Sequence, residues 1–206
     1  MKMLRTTLWI AACLIAWSGV ATAAEAETKA KAKGSDALYV GVKKCKMCHK
    51  AEAGGAQFRL WSESKHAKAF ESLASPKAME IAKEKGIEDP QKADECLACH
   101  VTGHGEPAEK FKPTFLAADG VGCESCHGAG SNYMKKKTMQ GIRDKTMKAE
   151  DHGLVVPTQE TCDKCHNEKA TGGKHVVFEE ASKKLAHPIP EGYKRGAAKD
   201  DEEAAE

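Results

Sequence analysis

The sequence predicts a mostly α-helical fold, built from short helices and long loops with little β-strand. Apolar residues recur at spacings of three and four in several stretches, and no stretch shows a persuasive alternation of apolar and polar residues. Only 5% of the 206 residues are aromatic and 30% are charged, so an ordinary aromatic-rich core is not expected. We expect something other than side chains to fill the interior.

The first 23 residues are interpreted as a cleaved secretory signal peptide. Lys2 and Arg5 precede a mostly apolar stretch over residues 8–20, and the small residues at positions 21–23 form a cleavage pattern. The apolar part is shorter than the roughly 20 residues that a membrane-spanning helix needs. The protein is therefore expected to be exported, to the periplasm or to the extracellular space.

The mature chain is expected to carry no net charge. The full chain has 32 Lys and Arg against 30 Asp and Glu, and cleavage removes Lys2 and Arg5 but no acidic residue. Because nucleic-acid binding needs a clustered basic face, no nucleic-acid partner is predicted. Residues 196–206 form an acidic run and are predicted to be a disordered tail. Residues 24–195 are long enough for one domain.

Helix signals appear in four stretches of the mature chain. The predicted helices are Gln57 to Leu73, Lys77 to Lys85, Lys135 to Glu150 and Val176 to Ala186. Pro76 starts the second helix and Gly86 ends it. Pro188 stops the last helix at His187. A loop rich in glycine and proline is predicted from Gly103 to Asp119.

Eight of the nine cysteines lie in the mature chain and form four pairs, each followed by a histidine. The four motifs are Cys45-Lys46-Met47-Cys48-His49, Cys96-Leu97-Ala98-Cys99-His100, Cys123-Glu124-Ser125-Cys126-His127 and Cys162-Asp163-Lys164-Cys165-His166. Disulfides or zinc sites would also use paired cysteines, but neither explains the histidine after every pair. C-x-x-C-H is the attachment pattern of c-type haem, in which the thiols bond the porphyrin and the histidine is the proximal iron ligand. The sequence therefore predicts four covalently attached haem c groups.

Four haems in one domain would supply the apolar interior that the side chains lack. The predicted fold is thus that of a haem-templated multihaem cytochrome c, with short helices held around the porphyrins. Without haem, the polypeptide is predicted to be unfolded or molten.

The chemistry depends on the sixth ligand of each iron. The histidines outside the motifs are His66, His104, His152, His175 and His187. If four of them coordinate iron, every haem is closed and the protein only passes electrons, whereas an open iron would bind a small molecule. His66 lies on an apolar helix face and His187 closes the last helix, and both are predicted to be ligands. His104 is interpreted as a loop histidine, while His152 and His175 are left open.

Several segments resemble the tetrahaem cytochrome c-554 family. They are Gly120-Val121-Gly122 with the third motif and Gly128, Cys45 to Lys50, His66-Ala67-Lys68-Ala69 before Glu71-Ser72-Leu73, Cys99-His100-Val101, and Phe178-Glu179 leading to His187. The likeness covers most of residues 39–188, and the third motif block is its most specific part.

The resemblance implies a mostly helical fold with closely packed, partly stacked haems. It also implies that His66 is the distal ligand of the fourth haem and His187 that of the third. The second-motif haem of the family can be five-coordinate, which here would be the haem on His100. The family ligand of the first haem follows the third motif, but no histidine occurs here until His152. That residue is therefore the candidate, and the first haem's ligation stays open.

The favoured interpretation is an exported tetrahaem electron carrier, rather than an enzyme, acting between donor and acceptor redox proteins. The best-known members of the family carry electrons from hydroxylamine oxidation. Haem propionates would bring the holoprotein to a charge of about −4, which favours basic partners. Two alternatives stay open: a reductase of nitric oxide or a related nitrogen species at a five-coordinate haem, and a subunit of an extracellular cytochrome filament. A membrane-bound, quinone-linked partner and self-association are also left open.

Overall fold

The computed structural model describes residues 36–170 and 175–193, all of which belong to one compact unit. The predicted signal peptide at residues 1–23 and the predicted tail at residues 196–206 lie outside the described residues. Within the described part of the chain, no helix has the length and apolar character needed to cross a membrane.

The described residues form short helices joined by loops. The α-helices are α1 (Val42–His49), α2 (Gln57–Ser62), α3 (Ala69–Ser72), α4 (Pro76–Glu84), α5 (Asp94–His100), α6 (Cys123–His127), α7 (Lys136–Arg143), α8 (Gln159–Asp163) and α9 (Phe178–Leu185). Short 3₁₀ helices lie at Glu52–Gly54, Ala108–Lys110, Ala117–Asp119, Gly130–Asn132 and Glu150–His152. Among these residues, β-structure is limited to one parallel bridge between Tyr39 and Phe111. The prediction of a mostly helical fold is confirmed.

Local signals placed the ends of α4 and α9 well. The Ser75 hydroxyl accepts a hydrogen bond from the Ala78 N–H at 3.2 Å, which caps the start of α4. Gly86 follows α4 with a φ of 70°, in the left-handed region that favours glycine at a helix end. α9 ends at Leu185, just before the His187-Pro188 pair.

The prediction of one helix from Gln57 to Leu73 is wrong, because residues 63–68 form turns between α2 and α3. The His66 carbonyl accepts a hydrogen bond from the Val121 N–H at 3.1 Å. This long-range bond draws the chain toward the third motif instead of continuing the helix.

The predicted helix from Lys135 to Glu150 is too long, since α7 ends at Arg143. Lys145 has a φ of 59°, outside the range of a right-handed helix. The N–H groups of Thr146 and Met147 then both turn back to the Gly141 carbonyl, at 2.9 and 3.0 Å. These two backbone hydrogen bonds close a turn that follows α7.

The polypeptide buries mostly small apolar residues. Those buried among the described residues are Ala37, Val40, Val42, Ala56, Ala69, Leu73, Ala82, Val101 and Tyr133. Tyr133 is the one aromatic residue in that set. The other aromatic side chains include a partly covered cluster in which the ring of Tyr39 stacks on that of Phe111 at 5.2 Å. Side chains alone thus build a modest interior, as the composition predicts.

Candidate haem-binding site

Each C-x-x-C-H motif lies on or beside a short helix. α1 contains the first motif, α5 ends with the second, α6 is the third, and α8 leads into the fourth. Residues three apart on a helix lie on the same side, so a helical turn presents both cysteines of a pair to one group. In the fourth motif the His166 N–H closes such a turn onto the Cys162 carbonyl at 2.9 Å.

The third motif is a neighbour of both the first and the fourth, and the fourth is also a neighbour of the second. The thiols of Cys45, in the first motif, and Cys123, in the third, lie close together, and this contact raises the pKa of Cys45. Burial, together with the nearby thiol of Cys99, raises the pKa of Cys165 to about 12. The second and fourth motifs are therefore also neighbours. Groups attached to neighbouring motifs would therefore lie close together.

Two predicted distal histidines face two motif histidines. The ring centroids of His66 and His166 are 6.2 Å apart, and those of His127 and His187 are 6.0 Å apart. A metal held between two imidazoles has nitrogens about 2 Å away on each side, which separates the ring centres by about 6 Å. The residues present therefore fit an iron between the rings of each pair.

Backbone carbonyls orient three of the predicted iron-binding histidines. The Nδ1 atoms of His100, His127 and His187 lie 2.7, 3.2 and 2.7 Å from the carbonyl oxygens of Ala69, Val155 and Leu185, respectively. Because a carbonyl can only accept, Nδ1 carries the proton in each ring. Nε2 is then left with its lone pair, which is the form that binds a metal.

The environment also favours neutral imidazoles. Burial, and then the neighbouring His166, lower the pKa of His66. Burial is the largest cause that lowers the pKa of His127; the Val155 carbonyl opposes it, and the nearby rings of His187 and then His49 add smaller lowering effects. Since histidine binds a metal in its neutral form, both shifts suit a ligand.

The remaining histidines have different surroundings. The His104 Nε2 atom lies 2.9 Å from the carboxylate of Asp94, the first residue of α5, so this nitrogen already has a hydrogen-bond partner. The His175 ring is 69% exposed and lies 3.8 Å from Asp163.

His152 ends a 3₁₀ helix in the segment that runs along the third motif. Three residues further on, the Val155 N–H donates to the His127 carbonyl at 2.9 Å. The segment carrying His152 is thus tied to the third motif by its backbone.

Two buried polar residues beside the third motif were missed by the sequence analysis. Glu124 is 4% exposed and accepts three backbone hydrogen bonds. Thr102 is also 4% exposed, and its hydroxyl accepts from the Gly122 N–H at 2.7 Å. The glycines around this motif were the available signal, because they mark places where backbones pass closely. At Gly122 a Cβ would come within 2.8 Å of the Val42 side chain.

Comparison with known proteins places these features in context. A family model described as "Cytochrome c554 and c-prime" matches residues 44–128. Cytochrome c-554 of Nitrosomonas europaea is 36% identical over 168 residues, covering 74% of this chain and 68% of that protein. The solved structure of the reduced state of cytochrome c554 from Nitrosomonas europaea is 30% identical, with a TM-score of 0.48, and the match covers 72% of this chain and 78% of that one.

The repeated attachment motifs and these relatives define a c-type cytochrome, a protein that binds haem covalently and carries electrons. Within that class, the chain belongs to the tetrahaem cytochrome c-554 family. The resemblance inferred from the motifs is confirmed. Electron transport, in turn, implies redox partner proteins.

Proposed function

We propose that the protein is an exported electron carrier with four haem c groups, one on each C-x-x-C-H motif, acting between a donor and an acceptor protein. The observation that carries the proposal is the facing of His66 with His166 and of His127 with His187, at centroid distances of 6.2 and 6.0 Å. Two histidines on one iron leave no position for a substrate, so such a haem transfers electrons only. The mature domain in this proposal spans residues 24–195 and lies in the periplasm or outside the cell.

The attachment residues in this proposal are the two cysteines of each motif. They are Cys45 and Cys48, Cys96 and Cys99, Cys123 and Cys126, and Cys162 and Cys165. The proximal ligands are His49, His100, His127 and His166. His66 and His187 are the distal ligands of the haems on His166 and His127, and His152 is the candidate for the haem on His49.

A second function is favoured by the position of His104. Its Nε2 atom is bound to Asp94 at 2.9 Å, so this histidine is not free to close the haem on His100. An iron left open there would bind a small molecule. The second candidate is therefore the reduction of nitric oxide or a related nitrogen species at the haem on His100.

The neighbouring motifs support electron transfer within the protein. Cys45 lies close enough to Cys123 to change its pKa, and Cys99 lies similarly close to Cys165. The third and fourth motifs are neighbours as well, so haems attached at all four motifs would lie close to one another. Donor and acceptor proteins, among them a quinone-linked membrane protein, would exchange electrons with exposed haem edges.

Intact-mass measurement of the protein purified from the periplasm tests the haem count and export. We expect a polypeptide beginning at residue 24 with four added haem masses. Three or fewer haems would contradict the proposed cofactor content, and an uncleaved amino terminus would contradict the proposed processing.

Electron paramagnetic resonance of the oxidised protein, before and after addition of nitric oxide, separates the two functions. Low-spin signals that nitric oxide leaves unchanged support a dedicated carrier. A high-spin signal that disappears with nitric oxide supports an open iron. The His100→Ala variant then shows whether that signal belongs to the second motif.

A further inference from the structure

Glu124 lies inside the third motif, between its two cysteines, yet its side chain points into the protein rather than toward solvent. Its Oε1 atom accepts hydrogen bonds from the N–H groups of Val40 at 2.9 Å and Gly130 at 2.7 Å, and Oε2 accepts from Gly41 at 2.8 Å. Both oxygens act as acceptors, which is the bonding pattern of a carboxylate. A buried charge with several N–H donors is well satisfied, and losing those donors would be costly.

Among the residues that the structure describes, the other three motifs show no equivalent contact at this position. Lys46 is exposed in the first motif, and Leu97 is half-buried in the second. Asp163 occupies the position in the fourth motif, but its side chain is 42% exposed and bonds to Gln159 of its own helix. Among the four motifs, the third therefore has the buried carboxylate. The example of Asp163 shows that an acidic residue at this motif position is not buried in every case.

The donors to Glu124 connect two haem-attachment segments. Val40 and Gly41 immediately precede α1, which carries the first motif, and Gly130 follows the third. Close packing reinforces the connection, since a Cβ at Gly130 would come within 3.1 Å of the Glu124 Oε1 atom. The carboxylate thus joins the two motifs whose cysteines, Cys45 and Cys123, lie close together.

We infer that Glu124 is a positioning residue that clamps the first motif to the third and keeps a fixed negative charge beside the haems attached there. The inference rests on the proposed function, because it requires haems on both motifs. A fixed negative charge stabilises the ferric form, which carries one more positive charge than the ferrous form. The carboxylate therefore lowers the reduction potentials of this haem pair as well as fixing its geometry.

The charge of Glu124 contributes to the raised pKa values of two neighbouring side chains. Burial first, and then Cys45 and Glu124, raise the pKa of Tyr133, whose hydroxyl donates to the Gly128 carbonyl at 2.7 Å. The contact with Cys123 and burial raise the pKa of the unattached Cys45 thiol most, and Glu124 adds to this effect. Its electrostatic influence reaches the attachment cysteines of both motifs.

The test is a spectroelectrochemical titration of the holoprotein in three variants. Glu124→Gln keeps the size and removes the charge, and we expect the reduction equilibrium of at least one haem to shift toward the ferrous form about tenfold, or about 59 mV. Glu124→Asp keeps the charge but shortens the side chain, so the potentials should stay near those of the wild type while the unfolding midpoint falls. Asp163→Asn, the matched control in the fourth motif, should shift the potentials by much less.

Potentials in Glu124→Gln that equal those of the wild type or of Asp163→Asn would overturn the inference. If Glu124→Gln does not accumulate as holoprotein, Glu124→Asp decides the matter. Unchanged potentials with a lower unfolding midpoint would then support the inference, and an unchanged midpoint would overturn it. Haem counting on the wild-type protein keeps this result separate from the proposed function, which fails if fewer than four haems are attached.

Discussion

The imidazole rings of His66 and His166 lie 6.2 Å apart between centroids and nearly perpendicular, at 72°, although 100 positions separate them in the chain. His66 is carried by the turn between α2 and α3, and His166 follows α8. The turn is held in place because the His66 carbonyl accepts from the Val121 N–H, while the Trp61 indole N–H donates to the Val121 carbonyl at 2.9 Å. The backbone beside the third motif thus places a histidine opposite the fourth.

Replacing His66 with Ala should open one haem. If His66 and His166 share an iron, the His66→Ala variant loses one of two axial ligands, and one of the four haems should become high-spin. Electron paramagnetic resonance and visible spectroscopy of the oxidised protein measure the change. His104→Ala is the control, because the His104 Nε2 atom is bonded to Asp94 and its loss should leave the spectrum unchanged. A wild-type spectrum from His66→Ala would show that His66 is not a ligand.

Acid should destabilise the protein through His66. Burial lowers its pKa from the ordinary value of 6.5, and an iron bound to the ring would exclude the proton as well, so below pH 6.5 the unfolded chain binds a proton that the folded chain excludes. The contribution of His66 is complete above pH 6.5 and is lost as the pH falls through the lowered value, with a slope of at most about 1.4 kcal/mol per pH unit.

Unfolding of wild-type and His66→Ala holoprotein, measured between pH 8 and pH 5, isolates this contribution. The wild type should lose stability more steeply below pH 6.5 than the variant. Parallel curves for the two proteins would argue against a role for His66 in the acid sensitivity.

Substituting Gly41 should be much more damaging than substituting Gly86. Both have positive φ values, 82° and 70°, so alanine is strained at either site by about 1–2 kcal/mol. Only at Gly41 would the added Cβ also collide with backbone, at 2.6 Å from the Thr114 oxygen, whereas nothing lies within 4 Å at Gly86. Thermal unfolding should show a small loss for Gly86→Ala and a clearly larger one for Gly41→Ala. Equal losses would mean that the contact at Thr114 relaxes freely.

Removing the Thr102 hydroxyl should weaken the link between the second and third motifs. Thr102 lies just after α5, and its hydroxyl bonds to the Gly122 N–H at 2.7 Å and to the Ser125 hydroxyl at 2.8 Å. Thr102→Val leaves the buried Gly122 N–H without this acceptor, which should cost about 1–3 kcal/mol. Ser62→Ala, which removes an exposed hydroxyl bonded to its own helix, should be nearly neutral in the same unfolding experiment. If Thr102→Val left the free energy of unfolding unchanged, packing rather than the hydroxyl would hold the second motif to the third.

Protein made without haem attachment should lack a native fold. The buried apolar set of the described residues consists mainly of alanine and valine, with few large side chains. Such an interior gives little hydrophobic stabilisation against the cost of ordering the chain. Circular dichroism and thermal unfolding of the haem-free chain should show no cooperative transition. A cooperative, native-like transition would refute the idea that haem templates the fold.

Much of the local structure could be predicted from the sequence. The Pro76 start and Gly86 stop of α4 act within a few residues, and the structure agrees with them. The prediction of one helix from Gln57 to Leu73 was wrong because the spacing of apolar residues gives no sign of the hydrogen bond between His66 and Val121. At residues 63–68 the long-range hydrogen bond therefore outweighs the local preference for helix.

The cofactor class and the family could be predicted from the sequence alone, because the attachment chemistry lies within five consecutive residues and repeats four times. Which histidine faces which motif depends on how the chain folds in three dimensions. The same is true of Glu124, which turns inward to accept a hydrogen bond from Val40, 84 positions away. The physical reason is that a C-x-x-C-H turn is complete within one stretch of chain. An axial pair and a buried carboxylate require distant backbones to meet, which depends on how the whole chain packs.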